Sequence, residues 1–282
     1  MKSSPQLIEA AALWTLWQAP HPKREWSIER KFEEIRKAGF NGVTGQLDAS
    51  HIRLANQFDL KPAGLVFIKK MAEIRPVLAA QRDLGLRFLT IHLGTGDTPP
   101  ESALKMLLRI HSESRRLGLE AGVETHRATC TETPAVAREL MRAFERETGE
   151  ALPMTLDYSH PAVVRHVFPP YAAGLLSGHD SVLRRARLFH CRPFNGHHCQ
   201  IPVSTAGGRL APEMPAYLEF VEAMFRVALR GRPAGQEIVV CPELGPLLGG
   251  YGLSAFPNVW EDAKRLRPLL RKSFLRAGKS PA

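Results

Sequence analysis

Four apolar, strand-like runs in this chain each lead into a side chain able to bind a metal: Glu124, Asp157, His190 and Glu243. The first three are evenly spaced, 33 residues apart (157 − 124 and 190 − 157). That interval accommodates one strand, one helix and two loops of a βα repeat. Strands of one parallel barrel all run the same way, so residues at their C-terminal ends converge on one rim, where such barrels carry their chemistry. Two glutamates, an aspartate and a histidine on one rim suit a divalent cation.

The rest of the chain repeats this grammar. Strand-like runs fall at Ala12–Trp17, Gly42–Leu47, Ala63–Ile68, Arg87–Leu93, Leu119–Thr125, Met154–Tyr158, Ala186–Cys191 and Glu237–Cys241. Most are near-continuous apolar stretches, as expected of strands covered on both faces. Helical patterns separate them. Ser27 is placed to cap a helix carrying Ile28, Phe32 and Ile35 on one face. Thr98-Pro99-Pro100-Glu101 reads as a capping box with Pro99 at the first helical position. Thr133-Pro134 opens another helix that reaches Gly149, and Asn258 with Glu261 opens the last.

Eight strands in strict alternation with helices predict a single-domain (β/α)₈ TIM barrel over residues 1–282, close to the roughly 250 residues typical of that fold. No G-x-G-x-x-G or Walker pattern follows the first strand, which counts against an open nucleotide-binding sheet. The interval from His190 to Glu243 is 53, about 20 residues longer than the others. The excess is assigned to a lid-like loop at 192–212, rich in Gly, Pro and His.

Composition removes several classes. No run approaches the 18 or so apolar residues that span a bilayer. The apolar stretch Leu7–Trp17 is short and interrupted by Glu9, so no signal peptide is read there. Cys130, Cys191, Cys199 and Cys241 show no C-x-x-C spacing, which suits a reduced, cytoplasmic protein. The formal charge of +10 invites a nucleic-acid reading. Much of it, however, sits in Arg184, Arg185 and Arg187, in Arg226, Arg230 and Arg232, and on a terminal helical pattern from Lys264 to Lys279. Few aromatics interleave with these residues, so solvated helix faces are the preferred account.

The ordered pieces HLG (His92), ETH (Glu124, His126), DYSH (Asp157, His160), FHCR (His190, Arg192) and PEL (Glu243) resemble the xylose isomerase-like TIM barrels. That superfamily takes in the sugar phosphate isomerase/epimerase and AP endonuclease family 2 types, among them sugar epimerases, hydroxypyruvate isomerase, inosose dehydratase and endonuclease IV. The likeness spans nearly the whole chain, since GFNGV at 39–43 is similar to the second-strand segment of that group. The resemblance implies that Glu124, Asp157, His190 and Glu243 bind one divalent metal, and that Glu124 and Glu243 form an acid–base pair. It implies substrate contact for His160. His92, His126 and Arg192, near the same rim, are candidates for the same task.

Three carboxylates and an imidazole favour Mn²⁺ or Mg²⁺, with Co²⁺ or Zn²⁺ also tolerable. Such an ion polarises a ketone and stabilises an enediolate, while one carboxylate removes the α proton and the other returns it. The leading expectation is therefore a metal-dependent isomerase or epimerase acting on a small-molecule sugar or sugar phosphate. A dehydratase or lyase on a polyol-like ketone shares the first half-reaction. An endonuclease IV-like enzyme is disfavoured, because ligands for only one metal are readable, and a non-catalytic barrel stands as the last rival. Oligomerisation fits the resemblance, although no self-complementary patch is readable. Two departures bear on substrate: Gly45 and Gln46 stand where relatives often carry a glutamate after strand two, and RPFNGHHCQIP follows His190.

Overall fold

A computed structural model describes residues 5–279; residues 1–4 and 280–282 of the expected domain lie outside the described residues. Eight parallel strands close into one barrel in sequence order. They are β1 Gln6–Ala12, β2 Gly42–Gly45, β3 Lys61–Ile68, β4 Phe88–Leu93, β5 Glu120–Glu124, β6 Met154–Asp157, β7 Leu188–His190 and β8 Glu237–Cys241. Closure is made by β8 against β1, in the register Gln6↔Glu237 to Glu9↔Val240.

Around the barrel lie α1 Ile28–Lys37, α2 Ala49–Gln57, α3 Ile74–Asp83, α4 Pro100–Leu117, α5 Pro134–Thr148, α6 Ser159–Val164, α7 Tyr171–Leu175, α8 Asp180–Arg185, α9 Met214–Ala228 and α10 Val259–Lys279. Several begin where the sequence predicts. Ser27 Oγ accepts from Arg30 N, Thr133 Oγ1 from Val136 N, and Asn258 Oδ1 from Trp260 N. Each satisfies a backbone donor that a helix start leaves open. The box expected at Thr98 does not form. Pro99 is the residue that precedes α4, and Thr98 Oγ1 instead accepts from Thr95 N at 2.8 Å.

The first strand also differs from expectation. It spans Gln6–Ala12, while Leu13–Leu16 turns into a short 3₁₀ segment. Glu9 faces outward and is buried against α10, where Arg271 and Arg267 bind its two carboxylate oxygens at 2.8 and 3.1 Å. Ile8, Ala10 and Ala12 face the barrel interior together with Ala63, Phe88, Leu188, Val239 and Cys241. The main apolar layer lies between sheet and helices. Gly122 is a packing requirement of β5: a Cβ there would stand 2.6 Å from the backbone of Met154 and Thr155. That close approach of β5 to β6 brings the ends of the two strands together.

Many basic residues behind the net charge have carboxylate partners. Arg185 meets Glu150, Arg187 meets Glu120, Arg226 meets Glu222 and Lys264 meets Glu261. Among the described residues, no helix is long and apolar enough to cross a membrane.

Candidate metal and substrate site

Glu124, Asp157 and His190 are the last residues of β5, β6 and β7, and Glu243 follows β8 by two residues. All four are buried, and each offers a ligand atom within 4.8 Å of the others. Ligand atoms about 2.0–2.4 Å from a shared ion can be no farther apart than that. The strand ends are fastened to one another. Thr125 Oγ1 donates to Asp157 O and accepts from Asp157 N, at 2.7 and 3.0 Å. Thr131 Oγ1 donates to Glu124 O from the loop beyond β5.

Two basic side chains face the carboxylates of the cluster. His190 Nδ1 lies 2.8 Å from Glu124 Oε1 and 3.4 Å from Glu243 Oε2. Arg192 donates to Glu243 Oε2 at 2.5 Å and to Glu243 O at 3.0 Å. The guanidinium is wedged under Tyr251, 4.3 Å from its ring. Asp157 is divided between two tasks. Oδ1 accepts from Ser159 N at 2.8 Å, while buried Oδ2 accepts no hydrogen bond, although Arg192 lies 3.3 Å away. A buried carboxylate oxygen left without a hydrogen bond is costly, and a cation would satisfy it.

The donor set therefore fits a hard divalent metal held by Glu124, Asp157, His190 and Glu243. Three carboxylates are matched in charge by a divalent ion together with Arg192, with His190 neutral as a ligand.

Burial and neighbours set the protonation states. Burial works against the Glu124 and Glu243 carboxylates, but His190, joined at Glu243 by Arg192, outweighs it. Glu124 is held well below the usual range and Glu243 down at about 2. Asp157 is pushed up to about 6, mainly by burial. Burial alone would lower His190, yet Glu124 and Glu243 push it well up. Burial lowers His126 to about 4 and His160 to about 2, so both are neutral at pH 7.

Above the cluster, at the C-terminal mouth of the barrel, opens a cavity of about 530 Å³. Glu243 lines it, while Glu124, Asp157 and His190 lie behind. Of the four residues expected to meet substrate, His92, His126 and Arg192 line the cavity. His92 Nε2 lies 2.6 Å from Glu124 Oε2 and its ring stacks on His126 at 4.1 Å. His160 is buried behind His126, 4.3 Å away ring to ring, with Nε2 3.6 Å from Asp157 Oδ2.

Within 192–212, Arg192 alone lines this cavity. The segment is anchored elsewhere. Gln200 exchanges hydrogen bonds with the backbone of Gly245 at 2.7 and 2.9 Å, and Asp262 on α10 accepts from Val203 N at 2.8 Å and from Ser204 Oγ.

Several cavity residues were not singled out in the sequence: Trp14, Trp17, Thr44, Phe67, Arg127 and Tyr251. Each stands alone in its loop or strand, with no spacing pattern that would mark it.

No family model and no curated protein matches the sequence. Solved structures match along nearly its whole length, at low identity. A D-allulose 3-epimerase from Methylomonas sp. is 12% identical, with 98% of this chain and 100% of that one covered and a TM-score of 0.58. A xylose isomerase-like TIM barrel protein from Mycobacterium smegmatis, in complex with magnesium, is 14% identical over 95% and 97%, with a TM-score of 0.55. A probable 3-DHS dehydratase of Bacillus anthracis, involved in petrobactin synthesis, is 13% identical over 93% and 98%, with a TM-score of 0.52. The fold of this chain is that of the xylose isomerase-like TIM barrels.

Proposed function

We propose that this protein is a metal-dependent isomerase or epimerase of a sugar-like α-hydroxy ketone. The observation that carries the reading is the buried quartet at one barrel rim, its four ligand atoms within 4.8 Å of one another and one aspartate oxygen without a hydrogen bond. Mn²⁺ or Mg²⁺ suits this oxygen-rich donor set, and the M. smegmatis neighbour's magnesium agrees with that choice. When bound, the ion supplies Lewis-acid polarisation of the substrate carbonyl.

The chain's own residues do the rest. Glu243 meets the cavity as a carboxylate and is placed to take the proton α to the carbonyl. Glu124 reaches the cavity through His92, to which it is hydrogen bonded, and the proton returned from the other side is drawn from solvent and handed on through this Glu124–His92 pair. Arg192 keeps Glu243 in place and is a positioning residue. His126, neutral at pH 7, offers an uncharged hydrogen-bonding face to substrate hydroxyls, and neutral His160 backs it from behind. The four free cysteines agree with a reducing compartment, and we place the protein in the cytoplasm.

The structural likeness to a dehydratase favours a second reading, in which the same proton removal is followed by loss of a β-hydroxyl as water. One experiment addresses both. The Mn²⁺-loaded protein is incubated in D₂O with a panel of ketoses and ketose phosphates and followed by NMR. Isomerisation or epimerisation with deuterium at the α carbon is the expected result. An unsaturated product would select the dehydratase, and an unchanged panel would count against both.

A further inference from the structure

The rim divides into two unlike halves. The carboxylate cluster occupies the ends of β5 to β8, whereas the wall beyond β1 and β3 carries Trp14, Trp17, Ile28 and Phe67. Trp17, Phe67 and Ile28 are 48%, 47% and 37% exposed around one opening. Large apolar side chains gathered in water around a concavity mark a surface that a ligand covers. Deeper on the same side, Thr44 Oγ1 and Trp14 Nε1 are buried without a hydrogen-bond partner, and both residues line the cavity. A ligand hydroxyl would satisfy either. Between these layers Gly45, at φ +153° where β2 ends, lines the cavity beside Leu13.

We propose that the substrate is a sugar-like α-hydroxy ketone bearing a ring-sized apolar substituent. Its polyol end meets the carboxylate cluster, Thr44 and Trp14, and the substituent lies against Trp17, Ile28 and Phe67 at the mouth. This rests on the reading that the cluster acts on an α-hydroxy ketone. The cavity of about 530 Å³ is of the size that buries a drug-sized ligand, roughly 300–1,000 Å³. The cations nearby argue against a phosphate at the mouth. Lys31 is held by Glu25, Arg192 by Glu243, and Arg127 lies over Tyr251, 4.3 Å from its ring.

The test is calorimetric titration of the protein, with and without Mn²⁺, using the methyl and phenyl glycosides of a 3-keto-hexopyranose. Burial of the phenyl ring should tighten binding about 10–100-fold over methyl. Trp17→Ala and Phe67→Ala, both at exposed positions, should each shrink that preference severalfold. Phe168→Ala, at an exposed apolar position away from the cavity, should keep it. Equal affinity for the two glycosides, no binding of either, or tighter binding of a ketose phosphate than of the phenyl compound would overturn the proposal. Deuterium exchange on the same compounds separates the two levels. Exchange without phenyl preference removes the apolar subsite and leaves the isomerase reading. Phenyl preference without exchange supports the subsite and removes the hydroxy-ketone chemistry.

Discussion

Replacing Arg192 by Met would test whether the rim is held together by charge. Arg192 is 2% exposed and is packed between Tyr251 and the carboxylates of Glu243 and Asp157. Methionine is similarly long and apolar, so packing against Tyr251 largely survives while the charge is lost. Three buried carboxylates are then left with His190 between Glu124 and Glu243 and no guanidinium beside Glu243 and Asp157. Removing one partner from a buried ion pair costs about 3–5 kcal/mol, because the remaining charge stays desolvated and uncompensated. For a chain of this size each kcal/mol moves Tm by about 2–4 °C, so the variant should melt about 6–20 °C lower in the presence of a chelator. A bound ion opposes the same repulsion. Saturating Mn²⁺ should therefore raise Tm more in Arg192→Met than in the unmodified protein, on top of the roughly 2.7 kcal/mol that any ligand gives at a hundredfold excess over Kd. Circular-dichroism melts with and without Mn²⁺ make both comparisons. A variant melting within about 2 °C of the unmodified protein in chelator would refute the charge argument.

Glu124→Gln keeps an oxygen ligand but removes a proton carrier, so turnover should fall by about 10²–10⁴-fold. Metal affinity, read by calorimetry, should fall less than turnover. Binding of Mn²⁺ should weaken as pH falls. His190 is pushed well above its ordinary value by Glu124 and Glu243, so the metal-free site holds that proton at neutral pH and must release it to ligate. Titrations in buffers of different ionisation enthalpy should detect proton release at pH 7, and binding with no proton release would contradict the assignment. Asp262→Ala strands the Val203 and Ser204 donors and should cost about 1–3 kcal/mol. Amide exchange should then accelerate at residues 203–211 ahead of the barrel strands, and uniform acceleration would contradict a local role.

The βα alternation and the quartet were legible because both are periodic. A strand buried on two faces is a bounded apolar run, and a charged residue at its end is out of place unless it has a partner. The first strand lies earlier than the expected Ala12–Trp17: Leu7–Trp17 is apolar almost throughout, so no residue pattern marks where strand gives way to 3₁₀ turn, and Glu9 interrupts its first half. That carboxylate is neutralised by Arg267 and Arg271, 258 and 262 residues away, which no local pattern announces. Thr98 carried the residue pattern of a cap, but it folds back onto Thr95 N and leaves Pro99 to precede α4. An aspartate before a helix can serve either as a cap or as a ligand, and the two oxygens of Asp157 separate those tasks: Oδ1 accepts from Ser159 N, and Oδ2 is left without a hydrogen bond. Trp14, Trp17, Phe67 and Tyr251 could not be found from sequence. An aromatic on a βα loop looks the same whether it packs inward or rims a cavity.

The central claim is that Glu124, Asp157, His190 and Glu243 act together as one metal site. Titration of the protein into Mn²⁺, with free ion followed by electron paramagnetic resonance, tests it most directly. The account predicts one tight site per chain that disappears in His190→Ala and in Asp157→Asn, provided circular dichroism shows both variants folded. Failure of the unmodified protein to deplete the free-ion signal would contradict it, as would a folded His190→Ala variant that depletes it equally well.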